Sequence, residues 1–126
     1  MARLITWGEV PVVERGGGIW SAAFTSPPLA GQQFSMGVTA FPAGASIALH
    51  SHNTVEQVTV LEGEGWAELN GQRVPVRPYD TTQIAPGEWH RFINSEAGEM
   101  KILWVYGSTE VTRSFPDGRT VPQFES

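Results

Sequence analysis

The chain has 126 residues, of which 40% are hydrophobic and 17% are charged, so it can form the core of one globular domain and is not a disordered polar segment. Its formal net charge is −5, and its Lys and Arg residues do not cluster, which excludes the basic surface that nucleic-acid binding requires. The chain has no Cys, which excludes disulfides and thiolate metal sites.

The sequence also lacks the signals of membrane insertion and secretion. No apolar run approaches the roughly 20 residues of a membrane helix, and residues 1–10 lack the apolar stretch of a signal peptide. We therefore expect a cytoplasmic protein that binds neither membranes nor nucleic acid.

Frequent Gly and Pro residues divide the chain into short apolar segments that are typical of β-strands. No segment has a helical period of useful length. The predicted strands are, in chain order, Phe34–Phe41, Ser46–His50, Val55–Glu62, Gly65–Leu69, Gln72–Val76, Thr81–Ala85, His90–Asn94 and Met100–Tyr106. The Asn70-Gly71 pair predicts a tight hairpin. This pattern predicts an all-β sandwich or barrel with little helix.

The strands define a barrel over residues 34–110, with a segment on either side. Residues 1–33 are predicted to form strands and loops that pack on the barrel or on a partner, and residues 111–126 a polar tail. Trp7, Ile19 and Trp20 are expected to be exposed in the first segment. Exposed apolar patches usually mark contacts, so we expect a homodimer.

Four residues of the predicted barrel form a candidate metal site. His50 and His52 lie two residues apart on a predicted strand and therefore share a face. Glu56 opens the next strand after a short turn, and His90, the third His of the chain, begins another. Three neutral imidazoles and a carboxylate suit one divalent transition metal ion (Fe, Mn, Ni, Zn, Co or Cu) and not a dedicated Ca or Mg site.

The same residues carry a resemblance to the cupin family. The family's first motif, Gly-x5-His-x-His-x3-Glu-x6-Gly, is filled at Gly44, His50, His52, Glu56 and Gly63. The second, Gly-x5-Pro-x-Gly-x2-His-x3-Asn, is matched at Gly87, His90 and Asn94 and departs at Tyr79 and Ala85. The resemblance covers residues 34–106. It implies a double-stranded β-helix (jelly-roll barrel) in which His50, His52, Glu56 and His90 are metal ligands, the three Gly residues occupy turns and Asn94 is structural.

Alternation along the strands predicts which side chains line the cavity beside the metal. Residues that share a face with a ligand, or that lie opposite the solvent-facing Lys101, point inward. The predicted pocket residues are Phe92, Ile102, Trp104, Val58 and Gln83, with Thr39 as a further polar group. Tyr106 is the candidate catalytic residue, because a buried phenol needs a partner and can act as acid or base. No Arg is expected to hold a substrate carboxylate inside the barrel.

The resemblance implies a mononuclear metal-dependent enzyme acting on a small oxygen-bearing organic molecule, with dioxygenase, lyase or decarboxylase, or isomerase chemistry. The fold does not select among these reactions. The alternative is a non-catalytic cupin that binds or senses a small molecule. A structural or storage role is disfavoured because the ligand set is intact.

Overall fold

The computed structural model describes residues 2–95 and 97–124. Within these residues the protein forms twelve β-strands and, as its only helix, one 3₁₀ turn at Trp7–Glu9. The described part contains no helix long and apolar enough to cross a bilayer. The prediction of an all-β fold with little helix is therefore confirmed.

The strands are short, and most are bounded by turns. In chain order they are β1 Val12–Gly16, β2 Ile19–Ala23, β3 Ser35–Phe41, β4 Ser51–His52, β5 Glu56–Glu62, β6 Gly65–Leu69, β7 Gln72–Val76, β8 Thr81–Ile84, β9 His90–Asn94, β10 Met100–Tyr106, β11 Thr112–Ser114 and β12 Thr120–Pro122. All the predicted strands but one are present, with ends that differ by one residue at most.

The exception is the predicted strand Ser46–His50. This segment lies beside β9, where Ser46 pairs with Ile93 and His50 with His90. Between these two pairs the segment advances by four residues and β9 by only three. The extra residue is typical of a β-bulge, and it interrupts the regular hydrogen-bond ladder between the segment and β9. The regular strand, β4, begins only after His50.

The strands form two layers. One is a six-stranded antiparallel sheet in the order β1-β2-β3-β10-β5-β8. The other consists of two three-stranded sheets, β12-β11-β4 and β7-β6-β9, which the pairs His50–His90 and Ser46–Ile93 connect. The core between the layers includes the fully buried side chains of Phe41, Phe92 and Met100. This is the jelly-roll barrel that the sequence predicted.

The N-terminal segment belongs partly to the core. Ile19 is buried and Trp20 is half-buried, so the expectation that both are exposed is wrong. Because β2 lies between β1 and β3, one of its faces is covered by the barrel. Trp7 is exposed and packs against Trp20, with 5.9 Å between the ring centroids. The homodimer stays a prediction.

Candidate metal centre

Three imidazole rings meet inside the barrel. The centroids of His50 and His90 lie 4.4 Å apart, those of His50 and His52 4.7 Å, and those of His52 and His90 5.1 Å. All three residues are buried, and one ring nitrogen of each lies within 4.8 Å of the other two. The bulged segment, β4 and β9 thus bring the chain's three histidines to one point.

Backbone carbonyl groups orient each ring. Nδ1 lies 2.7 Å from the Ala48 carbonyl oxygen in His50, 3.0 Å from that of Thr112 in His52, and 2.9 Å from that of Glu88 in His90. A carbonyl oxygen only accepts hydrogen bonds, so Nδ1 of each ring must donate. In a neutral imidazole the other nitrogen, Nε2, then carries a lone pair that is available to a metal ion.

Glu56 adds a carboxylate to this group. Its Oε1 lies 3.0 Å from Nε2 of His90 and 3.6 Å from Nε2 of His52. Oε1 of Glu56 and Nε2 of His90 are buried and have no hydrogen-bond partner among the described residues. Buried polar atoms without partners are costly, and a shared cation would compensate both. The donor set therefore fits a divalent transition metal ion.

Burial favours the neutral form of His50 and His52. Desolvation lowers the pKa of His50 from its ordinary value of 6.5 to about 3, with the charge of His90 as a second cause. Desolvation also lowers the pKa of His52, although the Glu56 carboxylate opposes this shift. Neutral imidazole is the form that ligates metals, so these shifts favour binding at physiological pH.

Tyr106 lies beside the same group. It is directly opposite Glu56 in the β10–β5 pair, and its Oη lies 3.4 Å from Nε2 of His52. Burial raises the pKa of Tyr106 well above its ordinary value, and the Glu56 carboxylate raises it further. The phenol therefore keeps its proton and is suited to donating a hydrogen bond. Its inward orientation agrees with the sequence analysis, and its catalytic role stays a prediction.

A cavity of about 540 Å³ is lined by His50, His90 and Glu56 of this group. Phe92, Ile102 and Trp104, all predicted as pocket residues, line it together with Tyr106. Val58 is buried in the core and is not part of this lining.

The prediction for Gln83 is wrong. Gln83 is exposed, pairs with Gln57 across β8 and β5, and donates from Nε2 to Oε1 of Gln57 at 3.1 Å. Its neighbours Thr82 and Ile84 are buried. These two side chains therefore point inward from β8, and Gln83 points outward.

Hydroxyl groups form a polar strip in the cavity wall. Nε1 of Trp104 donates to Oγ1 of Thr39 at 2.9 Å, and Oγ1 of Thr39 lies 2.8 Å from Oγ of Ser21. Thr39 was expected here from sequence. Ser21 was not, because β2 lies outside the segment that resembles the cupin motifs.

Three arginines also line the cavity: Arg15, Arg113 and Arg119. From the sequence we expected no Arg inside the barrel that could hold a carboxylate, and the three arginines in the lining show that this expectation is wrong. Arg15 lies on β1, and Arg113 lies on β11, where it pairs with His52. Both strands lie outside the recognised motifs, so no known ligand fixed their inward parity. Along β1 each face carries one Val and one charged residue, so alternation in the sequence did not indicate which face points inward.

Comparisons with known proteins agree with this architecture. The family model of the cupin domain matches residues 37–106, which is more than half of the chain, and the chain therefore belongs to the cupin family. An uncharacterised protein of Methanocaldococcus jannaschii is 32% identical over 74 residues, which are 58% of this chain and 59% of that protein. The chain thus spans about three fifths of the length of the curated relative it matches.

Two solved structures cover the whole chain. The polyketide cyclase RemF from Streptomyces resistomycificus is 21% identical with a TM-score of 0.75, and the match covers 100% of this chain and 88% of that protein. A cupin-2 domain protein from Rhodospirillum rubrum is 19% identical with a TM-score of 0.73, and the match covers 100% of this chain and 82% of that protein. At these identities the similarity establishes a shared fold.

Proposed function

We propose that the protein is a mononuclear metal-dependent enzyme that acts on a small oxygen-bearing organic molecule. One observation carries the proposal: His50, His90 and Glu56, which lie close together, line a cavity large enough for such a molecule. Cavities of roughly 300–1,000 Å³ are typical of small-molecule sites. The donor set and the cavity are thus one site.

A divalent transition metal ion held by the three histidines and Glu56 would supply Lewis-acid polarisation of a substrate oxygen or a partner for O2 chemistry. The remaining groups suit binding and orientation. Phe92 and Ile102 exclude water from one wall, and the Thr39 and Ser21 hydroxyls offer hydrogen bonds from another. Tyr106 holds its proton beside Glu56, where it can donate to an oxygen of the substrate.

The fold is compatible with several reactions. The polyketide cyclase that shares it is an enzyme, which supports turnover in this fold only by analogy. Dioxygenase, lyase or decarboxylase, and isomerase chemistry would each use an oxygen-bearing substrate near the metal ion, and the fold does not select among them.

Metal analysis followed by a turnover assay tests the proposal. The protein is purified without added metal, and its metal content per chain is measured. The loaded protein, the EDTA-treated protein and His52→Ala are then incubated with a panel of hydroxy, keto and enol acids, with and without O2, and products are identified by mass spectrometry. Turnover by the loaded protein alone supports the enzyme. Metal-dependent binding without any product would favour the non-catalytic alternative.

A further inference from the structure

The charge of the cavity is opposite to that of the molecule. The chain has a formal net charge of −5, yet three arginines line the cavity. Glu56 is the only acidic group among the described residues of the lining, and it lies against the imidazoles. Because a low-dielectric wall strengthens the field of such charges, the cavity should concentrate anions.

The arginines are held in place. Nη2 of Arg15 donates to the Gln123 carbonyl oxygen at 3.1 Å. The guanidinium carbon of Arg119 lies 4.4 Å from the centroid of the Phe115 ring, and that of Arg113 lies 5.7 Å from the same centroid. Stacking on an aromatic ring orients a guanidinium group.

Depth in the cavity distinguishes the three arginines. Arg119 is exposed, and its Nε lies 4.0 Å from Oδ2 of Asp117, whereas Arg15 and Arg113 are half-buried. Arg113 pairs with His52 across β11 and β4, so its backbone lies beside that of a ligand. Arg15 also lines a second cavity of about 450 Å³. Ser21 and Trp104 likewise line both cavities.

The rest of the lining is largely apolar. Ile19, Ile47, Phe92 and Ile102 contribute side chains without hydrogen-bonding groups. A ligand that fills this space therefore needs an apolar body, while its charged end needs the arginines. A carboxylate matches the guanidinium fork, since two parallel N–H···O bonds can form.

We propose that the substrate is a small organic acid with an apolar body, whose carboxylate is bound by Arg15 and Arg113. This proposal rests on the proposed function for the contact between the substrate and the metal ion, whereas carboxylate recognition by the arginines is independent of it.

Matched acid and amide pairs test the charge selectivity. Calorimetry measures the binding of mandelate, benzoate and lactate, and of mandelamide, benzamide and lactamide, to the full chain loaded with Zn(II) and to the EDTA-treated chain. At least one acid should bind roughly tenfold or more tightly than its amide. Arg15→Gln and Arg113→Gln should each remove most of that preference and leave the zinc content unchanged.

Two further variants separate charge from structure. Arg77→Gln removes an exposed arginine outside the cavity lining and should preserve the preference, and Arg113→Lys should restore part of it. Equal binding of acid and amide in all three pairs, or a preference that survives both Gln substitutions, would overturn the proposal. If the protein held no metal but showed an arginine-dependent preference for acids, the proposed function would fail and the carboxylate site would stand.

Discussion

His52 and Thr112 are sixty residues apart in sequence, and Nδ1 of the His52 ring donates a hydrogen bond to the Thr112 carbonyl oxygen at 3.0 Å. The C-terminal strand β11 therefore orients a ligand of the candidate metal centre. Asn53 fixes the two segments to each other, because it accepts from the Thr112 backbone N–H at 2.8 Å and donates to the Glu110 carbonyl oxygen at 3.0 Å.

Asn53→Ala should weaken metal binding although Asn53 is not a ligand. Loss of both hydrogen bonds frees β11 from β4 and lets the Thr112 carbonyl move away from His52. Groups that orient a ligand typically contribute about 10–100-fold to metal affinity. Competition with a metallochromic chelator should show a decrease of about tenfold. Gln57→Ala, an amide removed from the outer face, is the control, and equal affinities in the two variants would contradict this role.

The sequence predicted the cluster of His50, His52, Glu56 and His90 and most of the barrel, because the motifs and strand patterns that indicate them are local. The Gly residues at 44, 63 and 87 have positive φ, as the motif requires. Asn94 donates to the carbonyl groups of Phe41, Pro42 and Gly98, which agrees with its expected structural role. Phe92 and Trp104 follow from alternation relative to a ligand or to a charged neighbour.

What sequence reasoning missed depends on pairing between distant strands. Arg113 lines the cavity because β11 pairs with β4. No local sequence pattern predicts a strand of three residues in a polar segment. Gln83 was misplaced because β8 contains no candidate ligand. Its inward and outward faces could therefore not be assigned by alternation from a residue of known orientation. The one extra residue between Ser46 and His50 is likewise visible only against β9.

Tyr79→Gly should stabilise the protein. Tyr79 occupies the position at which the family motif has Gly, and it keeps a φ of 73°, a left-handed conformation that costs a non-Gly residue about 1–2 kcal/mol. Its side chain is 82% exposed, so little packing is lost. After the entropic cost of Gly, we expect a net gain of up to about 1 kcal/mol, which thermal unfolding would detect. Tyr79→Ala keeps the unfavourable φ and should give no gain; equal midpoints for the two variants would contradict the explanation.

Acid should destabilise the metal-free protein. The pKa of His50 is about 3 in the fold against an ordinary value of 6.5, so between these values the unfolded chain binds a proton that the native chain does not. The contribution to stability is present above pH 6.5 and is lost as the pH falls toward 3. Urea unfolding of the EDTA-treated protein should show a lower midpoint at pH 5 than at pH 7. His50→Gln should reduce this difference, and an unchanged difference would show that His50 is not its source.

Tyr106→Phe should preserve the metal content and lower turnover. The Tyr106 hydroxyl lies beside Glu56 and His52, where donation to a substrate oxygen would stabilise developing negative charge. Removal of one such donor costs about a hundredfold in kcat. The measurement is kcat for an acid that the wild-type protein converts, together with metal per chain. An unchanged kcat would assign Tyr106 to packing alone.

Metal stoichiometry of single histidine variants tests the central claim most directly. Wild-type protein and Gln57→Ala should retain about one equivalent of a divalent transition metal ion per chain after gel filtration. His50→Ala, His52→Ala and His90→Ala should each lose most of it, because three rings that meet at one point form one coordination sphere. Circular dichroism verifies that each variant retains its strands. If His90→Ala kept a full equivalent while His50→Ala lost it, the metal would occupy a local His-x-His site and the barrel-centred account would be wrong.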